Sequence, residues 1–242
     1  MLSIVIPVKN EEETIPGLAA EVSQAMQRLV DADWECIWVN DGSTDRTAEV
    51  LAKVVQDDPH HRWLRLERSF GQSAGLVAGF SQARGAYLAT LDGGAQNDPA
   101  DLPDMFAQLR RDNVDMVNGV RAKRQDSLVR KLSSKVGNGF RNALTGNTVT
   151  DVGCAIRVFR KELARQIPVW KGMHRFFPTL AVMQGYRITE RPVNHRPRTQ
   201  GKTKYGINNR LWVGIADTIA VVWMKRRLVW PKIADQSPPE QG

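Results

Sequence analysis

Leu2-Ser3-Ile4-Val5-Ile6-Pro7-Val8 running into Lys9-Asn10-Glu11, and Trp34-Glu35-Cys36-Ile37-Trp38-Val39 running into Asn40-Asp41-Gly42, are the stretches whose reading decides the fold. Each is a short apolar run with β-branched or aromatic residues that stops at polar turn formers, the pattern of a buried parallel strand. Between them Ile15, Leu18, Val22, Met26 and Leu29 recur every three or four residues, which predicts an amphipathic helix within residues 11–30. The unit is strand, helix, strand.

Working outward, Ala48, Leu51, Val54 and Val55 give a second helical pattern that Thr44 or Asp45 can cap, and residues 63–66 read as the next strand. Residues 71–83 predict a helix of small side chains, 87–91 a strand stopping at Asp92-Gly93-Gly94, 101–111 a helix after Pro99, and 115–120 a further strand. Such alternation predicts the α/β class: a Rossmann-like, mostly parallel sheet with helices on both faces.

Beyond Val120 the character changes. A basic helical stretch (128–144) leads to a turn-rich segment around 146–153, then a strand or helix over 154–167, Phe176-Phe177-Pro178 with a helix to Gln184, and a strand near 187–193. Residues 196–210 are polar, basic and rich in Gly, Thr and Asn, and read as a mobile loop. Residues 211–224 are apolar apart from Asp217 and Thr218, and Lys225-Arg226-Arg227 follow. That run is too short for a bilayer, which needs roughly 20 residues. With Trp212, Trp223 and Trp230 beside basic residues it predicts an amphipathic helix over 211–234 lying in a membrane interface, against the alternative of a helix packed on the core. Residues 235–242, with two prolines, read as a disordered tail.

The net charge of +8 hides an asymmetry: residues 1–118 hold 10 Lys and Arg against 19 Asp and Glu, whereas 119–242 hold 24 against 7. A basic half beside an acidic one predicts a polyanionic partner, whether nucleic acid, an anionic membrane surface or a phosphate ligand. No aromatic-basic interleaving or recognised motif supports nucleic acid. Cys36 and Cys154 lie far apart, and residues 3–8 already read as core instead of a leader, so a reducing, cytoplasmic setting is expected. His60, His61, His174 and His195 have no ligand spacing for zinc.

Ligands of open α/β sheets lie at the carboxyl ends of the strands, and three polar clusters fall there: Lys9-Asn10-Glu11, Asn40-Asp41-Gly42-Ser43, and Asp92-Gly93-Gly94-Ala95-Gln96-Asn97-Asp98. Any one of them is an ordinary turn; their order within one hundred residues is not. On Pro7-Val8-Lys9-Asn10-Glu11, Asp41-Gly42-Ser43-Thr44-Asp45 and Asp92-Gly93-Gly94 the chain resembles the family 2 glycosyltransferases of GT-A fold. Gln96-Asn97-Asp98-Pro99, the basic helix with Arg130, Ser134 and Asn138, residues 150–157 and residues 198–206 narrow the resemblance to the dolichyl-phosphate mannosyltransferase-like branch, which includes bacterial polyprenyl-phosphate glycosyltransferases. It extends over residues 2–230.

The resemblance implies transfer of a sugar from a nucleotide-sugar (GDP-mannose or a UDP-sugar) to a polyprenyl phosphate, with inversion and assistance from Mg²⁺ or Mn²⁺. Pro7, Asn10, Glu11 and Asp41 would hold base and ribose, and Asp92 would face ribose, diphosphate and metal, with Gln96 as a further metal ligand. Arg121 and Arg130 would grip the acceptor phosphate with Ser134, while Arg198 and Lys202 would close over the donor diphosphate. Residues 1–120 would be the nucleotide-sugar half and 121–195 the acceptor half of one domain, peripheral on the inner membrane face alone or as a homo-oligomer.

One position departs from the family pattern. Gly94 stands where the second carboxylate of Asp-x-Asp belongs, leaving Asp92, Gln96 and Asp98 as nearby oxygen donors. Either the diphosphate carries more of the metal's coordination, or the site is weakened, or activity is lost. A soluble polysaccharide glycosyltransferase and a non-catalytic nucleotide-sugar or lipid-phosphate binding protein therefore stand as alternatives.

Overall fold

A computed structural model of the chain describes residues 1–29, 32–121, 149–197 and 207–229. In chain order the elements are β1 (Leu2–Val8), α1 (Ile15–Met26), β2 (Trp34–Asn40), α2 (Thr47–Asp57), β3 (His61–Arg65), α3 (Gln72–Gln82), β4 (Tyr87–Thr90), α4 (Leu102–Arg111) and β5 (Met116–Arg121). There follow β6 (Arg157–Arg160), α5 (Lys161–Gln166), α6 (Phe177–Met183), β7 (Ile188–Val193) and α7 (Ile207–Arg227).

The strands form one sheet in the order β3-β2-β1-β4-β6-β5-β7. All pairings are parallel except those of β6, which runs antiparallel to both β4 and β5. The segment 154–167, open between strand and helix in sequence, supplies both: a four-residue strand and then α5.

Alternation along β1 shows why both faces need helices. Leu2, Ile4, Ile6 and Val8 enter a core shared with α1 and α4, whereas Val5 joins Leu76 and Phe80 of α3, Leu163 of α5 and Phe177 and Leu180 of α6 on the other face. The glycines of α3 let it lie directly on the sheet. A Cβ on Gly79 would come within 2.2 Å of a Val5 methyl, and one on Gly75 within 3.0 Å of Pro7 Cβ. At the edge away from the strand-end clusters, Glu35 is buried and accepts hydrogen bonds from Ser3 Oγ, Arg62 Nε and Arg84 N, each at 2.7 Å. Burial alone would raise its pKa; these donors outweigh burial and hold it below the ordinary carboxylate value.

Two expectations about the C-terminal region change. The segment 196–210 is not all loop, because α7 begins at Ile207 and is 21 residues long. Nor does α7 have one apolar face: Val221 and Thr218 are buried against the α3–α6 side, and Arg175 Nη2 meets Asp217 Oδ2 at 3.3 Å, while Ile219 and Trp223 are 60% and 59% exposed. Among the described residues no helix is long and apolar enough to cross a membrane.

Gly79→Ala is expected to destabilise the protein by about 1–2 kcal/mol through overpacking against Val5. In α1, where nothing lies within 4 Å of a Cβ placed on Gly17, Gly17→Ala is expected to stabilise by about 0.5 kcal/mol. Urea unfolding midpoints of the two variants should move in opposite directions.

Candidate functional site

In the strand order the chain leaves β1 one way to form β2 and β3 and later returns to the other side as β4, so the topological switch point lies between β1 and β4. Their pairing stops at Val5 with Thr90. Val5 O accepts from Leu91 N, so Pro7, two residues on in a parallel strand, faces the same side. It has no N–H to donate there, and β4 ends at Thr90, before Asp92 and Gly93. Gly93 passes so close that a Cβ would lie 2.7 Å from Val8 Cγ1 and 3.0 Å from Pro7 O.

The loops after β1 and β2 are bolted together. Asn10, at φ +51°, donates its N–H to Ser43 Oγ at 2.9 Å and accepts from Thr44 N on Oδ1 at 2.8 Å. Glu11 N donates to Thr47 Oγ1, and the Glu11 carboxylate accepts from Thr14 Oγ1. Buried Asn40 accepts from Ser43 N at 2.9 Å.

Asp41 is also buried, and both of its oxygens are already engaged. Oδ1 accepts from Phe70 N (2.7 Å) and Gly71 N (3.1 Å), and Oδ2 from Ser69 Oγ (2.8 Å) and Gly71 N (3.0 Å). Lys9 Nζ donates to the same Ser69 hydroxyl at 2.9 Å. The loop after β3 is thus a fourth strand-end cluster, which the sequence reading missed; its signal was position, since Arg68-Ser69-Phe70-Gly71 follows a strand that ends at the same edge.

Asp92 is half-buried and its Oδ1 accepts from Gln96 N at 3.3 Å. Asp98, the other acidic oxygen donor nearby, is committed elsewhere: Oδ1 accepts from Ala100 N at 3.0 Å and Oδ2 pairs with Arg196 Nη2 at 2.9 Å. Arg196 also reaches Glu21 Oε2 at 2.7 Å, which fixes the start of the segment expected to be a mobile loop. Among the described residues no three His, Cys, Asp or Glu side chains converge as a metal site.

On the other side of the switch point, Arg121 makes a two-pronged pair with Asp151, Nε to Oδ2 and Nη2 to Oδ1, both 2.8 Å. Glu190 holds the Asp151 turn by accepting from Thr150 N at 2.9 Å and Thr150 Oγ1 at 2.8 Å. Arg157 enters β6 opposite Thr90 and Asn118, and its buried guanidinium donates to Asn118 Oδ1, His174 O and Val152 O. Burial lowers its pKa to about 10, so it remains charged at neutral pH. Pro7, Asn10, Glu11, Asp41, Asp92 and Gln96 thus lie at or just after the carboxyl ends of the neighbouring strands β1, β2 and β4, and Arg121 stands at the end of β5, beyond β6 from them. Arg130, Ser134, Arg198 and Lys202 lie outside the described residues.

A Ser-His-Asp grouping sits in a groove of about 590 Å³ between α1 and α2, at the opposite edge of the sheet. Trp38 Nε1 donates to His61 Nδ1 at 3.0 Å, so His61 carries its proton on Nε2, facing Ser23 Oγ at 2.9 Å. Ser23 gives its own proton to Asp58 at 2.7 Å. The imidazole is a donor to the hydroxyl and cannot take its proton, so this is structural bracing.

Burial, with Arg157 and Arg175 adding to it, lowers the His174 pKa to about 3, and its Nδ1 lies 2.9 Å from Ser73 Oγ. Below pH about 6.5 the unfolded chain takes up a proton that the folded chain refuses, so this contribution to stability falls with pH down to about 3. The limiting slope for one proton is about 1.4 kcal/mol per pH unit. Urea midpoints between pH 7 and pH 5 should therefore fall less steeply in His174→Gln than in the wild type.

The profile of glycosyl transferase family 2 matches residues 3–167. A dodecaprenyl-phosphate galacturonate synthase of Rhizobium johnstonii is 38% identical over 229 residues, covering 93% of this chain and 67% of that protein. An undecaprenyl-phosphate 4-deoxy-4-formamido-L-arabinose transferase of Salmonella choleraesuis is 38% identical over 205 residues, 84% of this chain and 62% of that protein. The chain thus spans about two thirds of the length of these curated relatives. Among solved structures, glucosyl-3-phosphoglycerate synthase of Mycobacterium tuberculosis in complex with Mg²⁺ and uridine diphosphate superposes with TM-score 0.69 at 17% identity, covering 93% of this chain and 79% of that one. A mannosyltransferase of Pyrobaculum calidifontis in complex with GDP-Man and Mn²⁺ gives 0.61 at 17% identity, with 95% and 65% covered. These two likenesses speak to the GT-A fold alone. With the family profile over more than half its length and the strand-end clusters lying at one sheet edge, the chain belongs to glycosyl transferase family 2 and is a glycosyltransferase.

Proposed function

We propose that this glycosyltransferase passes a sugar from a nucleoside diphosphate sugar to a polyprenyl phosphate at a membrane surface. The observation that carries the acceptor is the 38% identity to two proteins named for dodecaprenyl-phosphate and undecaprenyl-phosphate chemistry. The donor would lie over the carboxyl edge with its diphosphate at the β1–β4 crevice, as the switch point favours. A polyprenyl phosphate is already an anionic nucleophile at neutral pH. The protein's task is then alignment and stabilisation of the leaving diphosphate, to which the basic second half is suited. Arg121, held flat by Asp151, is a preorganised cation on the acceptor side, joined in this reading by Arg130 and Ser134, with Arg198 and Lys202 over the donor.

A hard divalent cation fits this site only in company with the substrate. Asp92 offers one carboxylate, Gly93 cannot carry a side chain against Val8, Gly94 has none, and Asp98 is spent on Arg196. Asp92 and Gln96 would hold Mg²⁺ or Mn²⁺ together with diphosphate oxygens, and the ion would neutralise charge on the leaving group. The membrane part of the reading is supported by α7, whose Ile219 and Trp223 stay in solvent just before Lys225, Arg226 and Arg227.

Transfer of labelled sugar from UDP- or GDP-sugars to undecaprenyl or dolichyl phosphate is expected in the presence of Mg²⁺. Gly94→Asp should lower the Mg²⁺ concentration for half-maximal rate roughly tenfold, a gain of about 1.4 kcal/mol in cation binding. Donor binding without transfer to either lipid would overturn the acceptor assignment; transfer by Gly94→Asp alone would make the natural chain a binding protein. Trp223→Ala should weaken sedimentation with anionic vesicles several-fold without altering donor binding, and unchanged sedimentation would remove α7 from the membrane.

A further inference from the structure

Phe70 has a use in this site that its burial does not explain. It is 43% exposed, although Arg68 Cζ lies 4.4 Å from its ring centroid and covers one face. Exposed single apolar residues are common on proteins, but few are held like this one. Its own N–H and that of Gly71 are fixed to Asp41, and Ser69 is fixed to Asp41 and Lys9. Gly42, at φ +61°, lets the loop pass within a distance that a Cβ would block, at 2.6 Å from Ser69 N and 2.7 Å from Arg68 C. A buried carboxylate and a positive-φ glycine thus hold the backbone that carries one solvent-facing aromatic residue, and Lys9 bonds the hydroxyl beside it.

We propose that Phe70 is the platform on which the planar face of the donor's nucleobase stacks, and that Asp41 acts as the positioning residue for that platform by anchoring the 69–71 backbone. The inference rests on the donor-site reading given above. Position along the sheet edge chooses the base over other parts of the donor. Asp92 follows β4, whereas the Phe70 loop is tied to the end of β2, two strand spacings or about 10 Å away. A donor with its diphosphate at Asp92 and its sugar towards the acceptor side, at β6 and β5, points its nucleoside in the direction of β2 and β3. A phenyl ring offers neither hydroxyl nor charge for ribose or phosphate, but every nucleobase has a face that stacks on it, and Arg68 backs the ring from the other side. The contact is tolerant of base identity, so it serves a UDP- or a GDP-sugar.

Isothermal titration of UDP, GDP and pyrophosphate with Mg²⁺ into the full chain tests this, using wild type, Phe70→Ala and Phe70→Trp. Phe70→Ala is expected to weaken the nucleotide that the wild type binds by roughly tenfold, with pyrophosphate affinity unchanged and Phe70→Trp close to wild type. The exposed ring makes Phe70→Ala a variant that folds, and an unchanged thermal midpoint is expected with it. Nucleotide affinity unaltered in Phe70→Ala would overturn the platform while leaving the donor site standing. Equal weakening of pyrophosphate and nucleotide would overturn it too, since the ring would then act only through the loop. A wild-type chain that binds neither nucleotide would overturn the donor site and this inference together.

Discussion

Pro7 has no amide hydrogen to give to β4, and the end of the β1–β4 ladder at the switch point depends on that missing donor. Up to Val5 the first strand is hydrogen-bonded on both sides; beyond it only the β2 side continues, as Asp41 N donating to Val8 O shows. A residue with an N–H at position 7 would face β4 and need a partner there. Proline makes no such demand, and Gly93, just past the end of β4, packs directly on Pro7 and Val8, where a side chain would not fit. The ladder between the two strands therefore ends at a residue that cannot donate, and close packing of Gly93 on Pro7 and Val8 takes over from it.

The two sides of the switch point are stiffened differently. On the β1–β3 side, backbone donors and small hydroxyls do the bracing: Ser43, Thr44 and Thr47 receive or give bonds to residues 10 and 11, and Asp41 gathers the loop after β3. On the β5–β7 side the bracing uses charged side chains: Asp151 pairs with Arg121, Glu190 accepts from the Thr150 turn at the surface, and buried Arg157 reaches three neutral acceptors. Removing one partner of a buried charged pair leaves the other uncompensated, at a cost of roughly 3–5 kcal/mol.

β1, β2 and β4 were legible in the sequence because they bury both faces and read as apolar runs ending in turn residues, whereas β3, part-exposed and holding two arginines, was legible mainly from the alternation of elements. β6 was not, since it has four residues, two of them arginines, and sits between strands running the other way. The start of α7 was hidden by Ile207-Asn208-Asn209-Arg210, a polar stretch that propensity alone assigns to a loop. Site residues were legible as positions but not as bonds. The sequence places Asp41 and Asp98 after strands, yet only the fold reveals that one anchors a neighbouring loop and the other caps a turn and pairs with Arg196. A side chain of a few atoms can serve its own backbone or a ligand, and that choice is made by loops distant in sequence.

Chemistry that needs a proton removed near neutral pH needs a group that titrates there, and two of the histidines are withdrawn from that role. His61 accepts from Trp38 on one nitrogen and faces Ser23 with the other, and its pKa is lowered mainly by burial. His174 is driven to about 3 by burial and by two neighbouring arginines. Both are kept neutral as structural parts, one at the edge opposite the crevice and one beneath Arg157. A phosphate acceptor, ionised before it arrives, asks for no such base; it asks for fixed positive charge and correct placement. Arg121, pinned in one plane by Asp151, shows how buried polar groups in this half hold a cation still instead of tuning a proton carrier.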